Sequence, residues 1–133
     1  MKKICLDTDF IISLLRNETE AVRRAKEYDE LKTQTSTTVM SAFEVYLGAL
    51  GSQARDRNLK EAEDFFSSIE VLHLTHESAK RSSEITSHLM KRGSSIGIRD
   101  SIIAGITIIE DRMLVTRNIS HFGRIPGLKI EKW

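Results

Sequence analysis

Apolar and polar positions along the chain fall into blocks whose periods mark strands and helices in turn. "KKICL" is a short run of branched apolar residues and reads as a buried strand. "FIISLLR" continues it as a helix, with Thr8 or Asp9 placed to act as N-cap. "ETEAVRRAKEYDEL" sets Ala21, Ala25, Tyr28 and Leu31 roughly one turn apart, the stripe of an amphipathic helix. "TQTSTTV" is polar but β-branched, which predicts a strand near residues 33–37. "VMSAFEVYLGAL" is a strongly apolar helix, with Gly51 as its C′ residue. "ARDRNLKEAEDFFSSI" is an amphipathic helix and "EVLHL" a strand. "HESAKRSSEITSHLMKRG" is a helix ending at Gly93, and "RDSIIAGITIIE" is another. "MLVT" and "LKIEKW" are strands, with Pro126 and Gly127 breaking the chain before the last.

Strands alternating with helices predict an α/β fold with a mainly parallel sheet covered by helices on both faces. In such sheets ligands bind in the crevice beyond the carboxyl ends of the strands. No repeat, linker or low-complexity tract interrupts the pattern. A chain of 133 residues, 40 % hydrophobic and 29 % charged, suits a single domain spanning 1–133. The single cysteine, Cys5, cannot form an internal disulfide, which fits a reducing, cytoplasmic setting. No apolar run approaches the ~18–20 residues of a membrane span, and "MKKICLDTD" lacks the core of a signal peptide. With 20 basic and 19 acidic residues, the net charge of +1 gives no bulk attraction to nucleic acid. Only a local basic patch could bind it.

Three acids break the apolar pattern at the edges of elements. Asp7 ends the first strand, where its side chain meets the crevice or serves as a turn residue. Glu44 interrupts the apolar helix "VMSAFEVYLGAL", where burial of a carboxylate requires a cation or donors, unless it marks an exposed stripe. Asp100 precedes "SIIAGITII", as a helix cap or as a site residue. Taken together they suggest a shared cation, because their mutual repulsion otherwise raises their pKa values. All-oxygen ligands suit Mg²⁺ or Mn²⁺ better than zinc.

"LDTDFIISLL", "TTVMSAFEVYLGA", "GIRDSIIAGITI" and "LVTRNISHFGRIPGLKI" together resemble a PIN domain, and more narrowly the VapC-type ribonuclease toxins of bacterial and archaeal toxin–antitoxin pairs. The likeness runs from about residue 3 to residue 131. It implies acids gathered at the strand ends, Mg²⁺ or Mn²⁺, and cleavage of RNA. By motif match, Asp7, Glu44 and Asp100 become the catalytic acids and metal ligands. Thr116 and Asn118 become polar supports, and Asp9 a helix cap or a group behind the ligands. One departure stands out. The family commonly carries a fourth acid in the "TRNxxDF" stretch, which here reads "TRNISHF", with His121 at that place. Four readings of His121 are open: a ligand of a second metal, a contact to RNA phosphate, a proton shuttle, or a loop histidine bonded to backbone.

The implied chemistry is attack of a metal-activated water on phosphorus, with Glu44 or Asp100 taking its proton and leaving a 5′-phosphate and a 3′-hydroxyl. Arg99 and Arg117 are the candidate RNA-binding cations, with Lys91, Arg92 and Arg124 also near the motifs. Aromatic residues make up only 6 % of the chain, too few to suggest extensive base stacking. Two other functions compete. A non-catalytic PIN fold would bind only RNA or a partner. An aspartate-nucleophile phosphatase would use "LDTD", but needs a later lysine and acid pair for which "IEDRM" is a poor match. A receiver domain requires an Asp after the third strand, and "EVLHLTH" has none. The resemblance also implies a homodimer and an antitoxin partner. The first helix and the helices around residues 39–68 are the expected apolar surfaces, with no membrane involved.

Overall fold

The computed structural model describes residues 2–133. Its first half contains β1 (Lys3–Leu6), α1 (Thr8–Leu15), α2 (Thr19–Glu30), β2 (Gln34–Thr38), α3 (Val39–Leu50) and α4 (Arg55–Ser67). The second contains β3 (Glu70–Leu72), α5 (His76–Lys91), α6 (Ile98–Ile109), β4 (Met113–Thr116), α7 (Ile119–Phe122) and β5 (Lys129–Lys132). The five strands form one sheet in the order β3-β2-β1-β4-β5. Every pair is parallel, with Ile4 opposite Thr35 on one side and Met113 on the other.

The period of two along each strand divides the core between the faces of the sheet. Ile4 and Leu6 of β1 and Val115 of β4 join Phe10, Ile11, Ala21, Tyr28, Val45 and Ala62 under α1–α4. Cys5 and Leu114 point the other way, into Ile85, Leu89, Ile103, Ile106 and Phe122. Burial, with a smaller push from the Asp7 charge, raises the Cys5 thiol to about 12, so it stays protonated and packs as a small apolar group. Helices α5 and α6 lie so close that a Cβ on Gly105 would stand 2.0 Å from Ser82 Oγ. Only glycine allows this approach.

Strand β2 is polar yet buried at Ser36, Thr37 and Thr38. Two of these hydroxyls are satisfied across the ladder, and that of Thr38 caps α3 by accepting the Ser41 N–H. Ser36 donates to the Ile4 carbonyl at 2.7 Å and Thr37 to the Leu6 carbonyl at 2.8 Å. The buried Arg112 donates to Glu70 at 3.1 Å, which keeps its charge paired.

Several sequence expectations change. Neither Thr8 nor Asp9 caps α1; Thr8 is its first residue, and Asp7 holds the N-cap position without a side-chain capping bond. Leu31 leaves the apolar stripe of α2 and is 76 % exposed, because the helix ends at Glu30 and the chain turns away. Gly51 closes α3 at φ −87°, so no left-handed residue is needed there, whereas Gly93 does take φ +67° after α5. Helix α3 is not largely buried: Phe43, Leu47 and Leu50 are exposed. The short helix α7 was hidden in "ISHF", which is too brief to show a period.

Strand β1 is the switch point of the sheet. The chain leaves it toward β2 and β3, then returns to its other side at β4. The crevice at such a point opens beyond the carboxyl ends of β1 and β4. Asp7 and Thr116 occupy those two ends.

Candidate active site

Asp7 extends β1 by one residue, its N–H donating to the Val115 carbonyl at 3.0 Å. That bond holds the residue at the sheet edge and leaves the side chain in the crevice, 5 % exposed. Thr116 Oγ1 donates to Asp7 Oδ2 at 2.7 Å. Burial raises the Asp7 carboxyl to about 7; the negative charges of Asp9 and Asp100 push the same way, and the Thr116 bond only partly opposes them. The fold therefore places a buried carboxyl among acids, and among the described residues no positive charge pairs with it.

Asp9 lies in the first turn of α1 and acts as a bracket rather than a cap. Its Oδ2 accepts the Arg117 backbone N–H at 2.9 Å, and its Oδ1 accepts the Trp133 indole N–H at 3.3 Å. Asn118 donates its backbone N–H to Thr116 Oγ1 at 3.0 Å. These bonds fix the turn after β4 against the start of α1. Asp100 sits in the first turn of α6, which begins after Gly97 at φ +92°. Its Oδ2 meets His121 Nδ1 at 2.7 Å and Asn118 Nδ2 at 3.5 Å. His121 is thus carried by a helix and paired with a carboxylate, not a loop residue bonded to backbone.

Glu44 reaches the same crevice from α3. Its Oε1 accepts the Thr8 hydroxyl at 2.7 Å, and its Oε2 lies 3.8 Å from Arg99. Thr8 follows Asp7 in the chain and Arg99 precedes Asp100. Glu44 therefore joins the site through the neighbours of the other two acids. Thr8 Oγ1 also lies 3.0 Å from Ser41 Oγ, the α3 side chain one turn before Glu44.

The structure gathers Asp7, Asp9, Asp100, Thr116, Asn118 and His121 into a linked polar set, with Glu44 at its rim. Arg99 is half exposed, stands beside Glu44 and covers the Phe43 ring at 5.7 Å. Arg117 is otherwise engaged: its guanidinium stacks 3.5 Å from the Trp133 ring, and its Nε donates to the Trp133 carbonyl at 3.0 Å. Arg124 donates to the Ser94 carbonyl at 3.2 Å. Sequence reading missed Thr8 as a bridge and Trp133 as the indole that orients Asp9. Thr8 was visible inside "DTD" but read as a cap; Trp133 carried no local signal.

Among the described residues, no three Asp, Glu, His or Cys side chains are arranged as a ready-made metal cage. The donor set still fits a hard divalent cation. Asp7 is buried with its charge unmet, the available donors are carboxylate oxygens, and Mg²⁺ keeps several waters while taking only one or two carboxylates. A thiolate or multi-imidazole site for zinc is not what these residues offer.

Residues 4–128 match the PIN domain. The chain belongs to the PIN-domain family. Among its relatives is the tRNA(fMet)-specific endonuclease VapC of Salmonella typhimurium, 32 % identical over 133 residues, covering 100 % of this chain and 99 % of that one. Ribonuclease VapC2 of Haemophilus influenzae is 32 % identical over 134 residues, covering 100 % of this chain and 99 % of its own length. The solved structure of DNA-bound VapBC from Salmonella typhimurium matches with a TM-score of 0.90 at 32 % identity, over 100 % of this chain and 99 % of that one. The PIN fold accounts for the all-parallel sheet, and its crevice is where Asp7, Asp100 and Glu44 lie.

Proposed function

We propose that this chain is an endoribonuclease of the VapC kind, acting through Mg²⁺ or Mn²⁺. The observation that carries the reading is the Asp7 carboxyl, buried at the switch point beside Asp9 and Asp100 with no cation among the described residues against it. Kinship to chains named as VapC ribonucleases supports RNA as the substrate class.

Asp7 and Asp100, with Glu44, would hold the cation, which when bound supplies acidified water and charge to offset that developing on the phosphoryl oxygens. Thr116 fixes the Asp7 carboxylate through Oδ2. Thr8 fixes Glu44 through Oε1, which leaves Glu44 placed to accept a proton from the attacking water. Arg99 offers a half-exposed guanidinium at the rim for an RNA phosphate. Arg117 contributes to RNA binding only where Trp133 leaves its guanidinium edge open. The water-borne attack leaves a 5′-phosphate and a 3′-hydroxyl.

The partners proposed are an antitoxin and a second copy of the chain, within the cytoplasm. Relatives of known structure are VapBC complexes. Two separate apolar surfaces are available: Phe43, Leu47 and Leu50 on α3, and a groove of about 760 Å³ between α5 and α6 edged by Leu74, Met90 and Ile98. No helix among the described residues is long and apolar enough to cross a membrane. Residues 1–133 are taken to act as one PIN unit.

The test incubates the purified chain and Asp7→Asn with end-labelled initiator tRNA and with an unstructured RNA, each with Mg²⁺, Mn²⁺ or EDTA. Cleavage to 5′-phosphate ends that needs the cation and disappears in Asp7→Asn is expected. Equal cleavage by wild type and Asp7→Asn overturns the assignment. Binding of RNA without cleavage under every cation favours the non-catalytic module.

A further inference from the structure

We propose that His121 is a positioning residue that clamps Asp100 through one carboxylate oxygen and so presents the other to the divalent cation. This inference rests on the reading of those acids as a cation site. Two donors converge on one oxygen: His121 Nδ1 at 2.7 Å and Asn118 Nδ2 at 3.5 Å both face Asp100 Oδ2. Asn118 is the N-cap of α7 and His121 lies three residues on, so the same side of this short helix presents both. Ser120 Oγ donates to Asn118 Oδ1 at 3.2 Å, which turns the Asn118 amide nitrogen toward Asp100. Phe122 is fully buried and roots α7 in the core, so the donors are held by packing rather than by a mobile loop.

A carboxylate only accepts, so the short contact requires the proton to sit on His121 Nδ1. This holds for the neutral Nδ1–H tautomer and for the imidazolium alike, and the clamp does not depend on which is present. Nδ1 is therefore the ring nitrogen engaged by Asp100, and it orients that carboxylate as hydrogen-bond partners of metal ligands do. Among the described residues no donor reaches Asp100 Oδ1, and the side chain is 21 % exposed. One oxygen of Asp100 is thus held by the protein and the other is left for a ligand. An acid at position 121 would reverse this arrangement: two carboxylates at hydrogen-bonding distance repel unless a cation lies between them.

Mn²⁺ titration by calorimetry without RNA, with bound Mn²⁺ counted by electron paramagnetic resonance, tests the inference on the full chain. Wild type is expected to bind one Mn²⁺. His121→Asn keeps a nitrogen donor at the Nδ1 place and should bind one Mn²⁺ with affinity near wild type. His121→Ala should still bind one, roughly 10- to 100-fold more weakly, as when the hydrogen-bond partner of a metal ligand is removed. His121→Asp should gain a second Mn²⁺. ¹⁵N spectra of the metal-free protein should show His121 protonated at Nδ1. Equal affinities of wild type and His121→Ala, or His121 unprotonated at Nδ1 in the ¹⁵N spectra, overturns the clamp. Asp7→Asn separates the premise from the inference. If it binds Mn²⁺ as wild type does, the cation site itself falls; if it loses Mn²⁺ while the His121 series is flat, only the clamp falls.

Discussion

Asp7 and Glu131 are both acids at the sheet, and the fold treats them in opposite ways. Glu131 in β5 is surrounded by partners. Lys2 and Tyr28 both bond to it, and Arg24 reaches it at 3.3 Å. Burial tends to raise the Glu131 carboxyl, but these partners prevail and hold it below the usual carboxylate range. Asp7 is more deeply buried, has acids nearby, and is raised to about 7. An acid that holds strands together is paired by the protein itself. An acid whose charge the protein leaves unmet is a candidate for a functional site.

The largest effect expected from breaking this contrast is on catalysis. Asp7→Asn should fold and lose RNA cleavage by on the order of 10³-fold, as when a preorganised electrostatic group is removed. Single-turnover assays in Mg²⁺ measure it. Glu131→Gln, assayed alongside, should cleave as wild type.

The same pair should respond oppositely to pH in stability. The folded Asp7 keeps its proton up to about 7, whereas the unfolded group releases it near the ordinary aspartate value of 3.8. The native state therefore binds the extra proton between these values, and stability falls as pH rises through 7. The penalty is as much as about 4 kcal/mol at full ionisation. Urea unfolding without divalent ions should show wild type weaker at pH 8 than at pH 5.5, and Asp7→Asn should remove this loss. Mg²⁺ at 100 times its Kd should return about 2.7 kcal/mol at pH 8.

Glu131→Gln carries the opposite sign. Its lowered carboxyl stabilises above its unfolded pKa, and that contribution is lost as pH falls through the folded value. The variant should lose about 1–2 kcal/mol at pH 7, because the Tyr28 hydroxyl and two cations lose a charged acceptor. Equal stabilities of wild type and Glu131→Gln would remove the contrast.

A smaller effect sharpens the boundary of the site. Trp133→Phe keeps an aromatic ring against Phe10, now edge-on at 5.0 Å, but removes the indole donor to Asp9. A loss of about 1 kcal/mol is expected, the value of one hydrogen bond. Cleavage should fall severalfold, because Asp9 also anchors the Arg117 backbone beside Thr116. Cleavage unchanged in Trp133→Phe would confine Asp9 to a purely structural role.

The sequence by itself determined the order of strands and helices, the parallel sheet and the family. Periods of two and 3.6 are local properties, and each block was long enough to show one, except "ISHF". It also marked Asp7, Glu44 and Asp100, because acids in apolar surroundings stand out without knowledge of the fold. Tertiary structure decided how these acids are linked. Thr116 meets Asp7 across 109 residues of chain, and Trp133 meets Asp9 across 124. Such pairings depend on β4 returning beside β1 and β5 following outside it, and no local pattern encodes that order. The same return brought α7 over the start of α6 and matched His121 with Asp100, a partner that residue types alone left open among four readings. Burial, too, is a property of the packed whole: it raised Asp7, while at Glu131 the bonds from Lys2, Tyr28 and Arg24 outweighed it, although both were simply acids beside strands in the sequence.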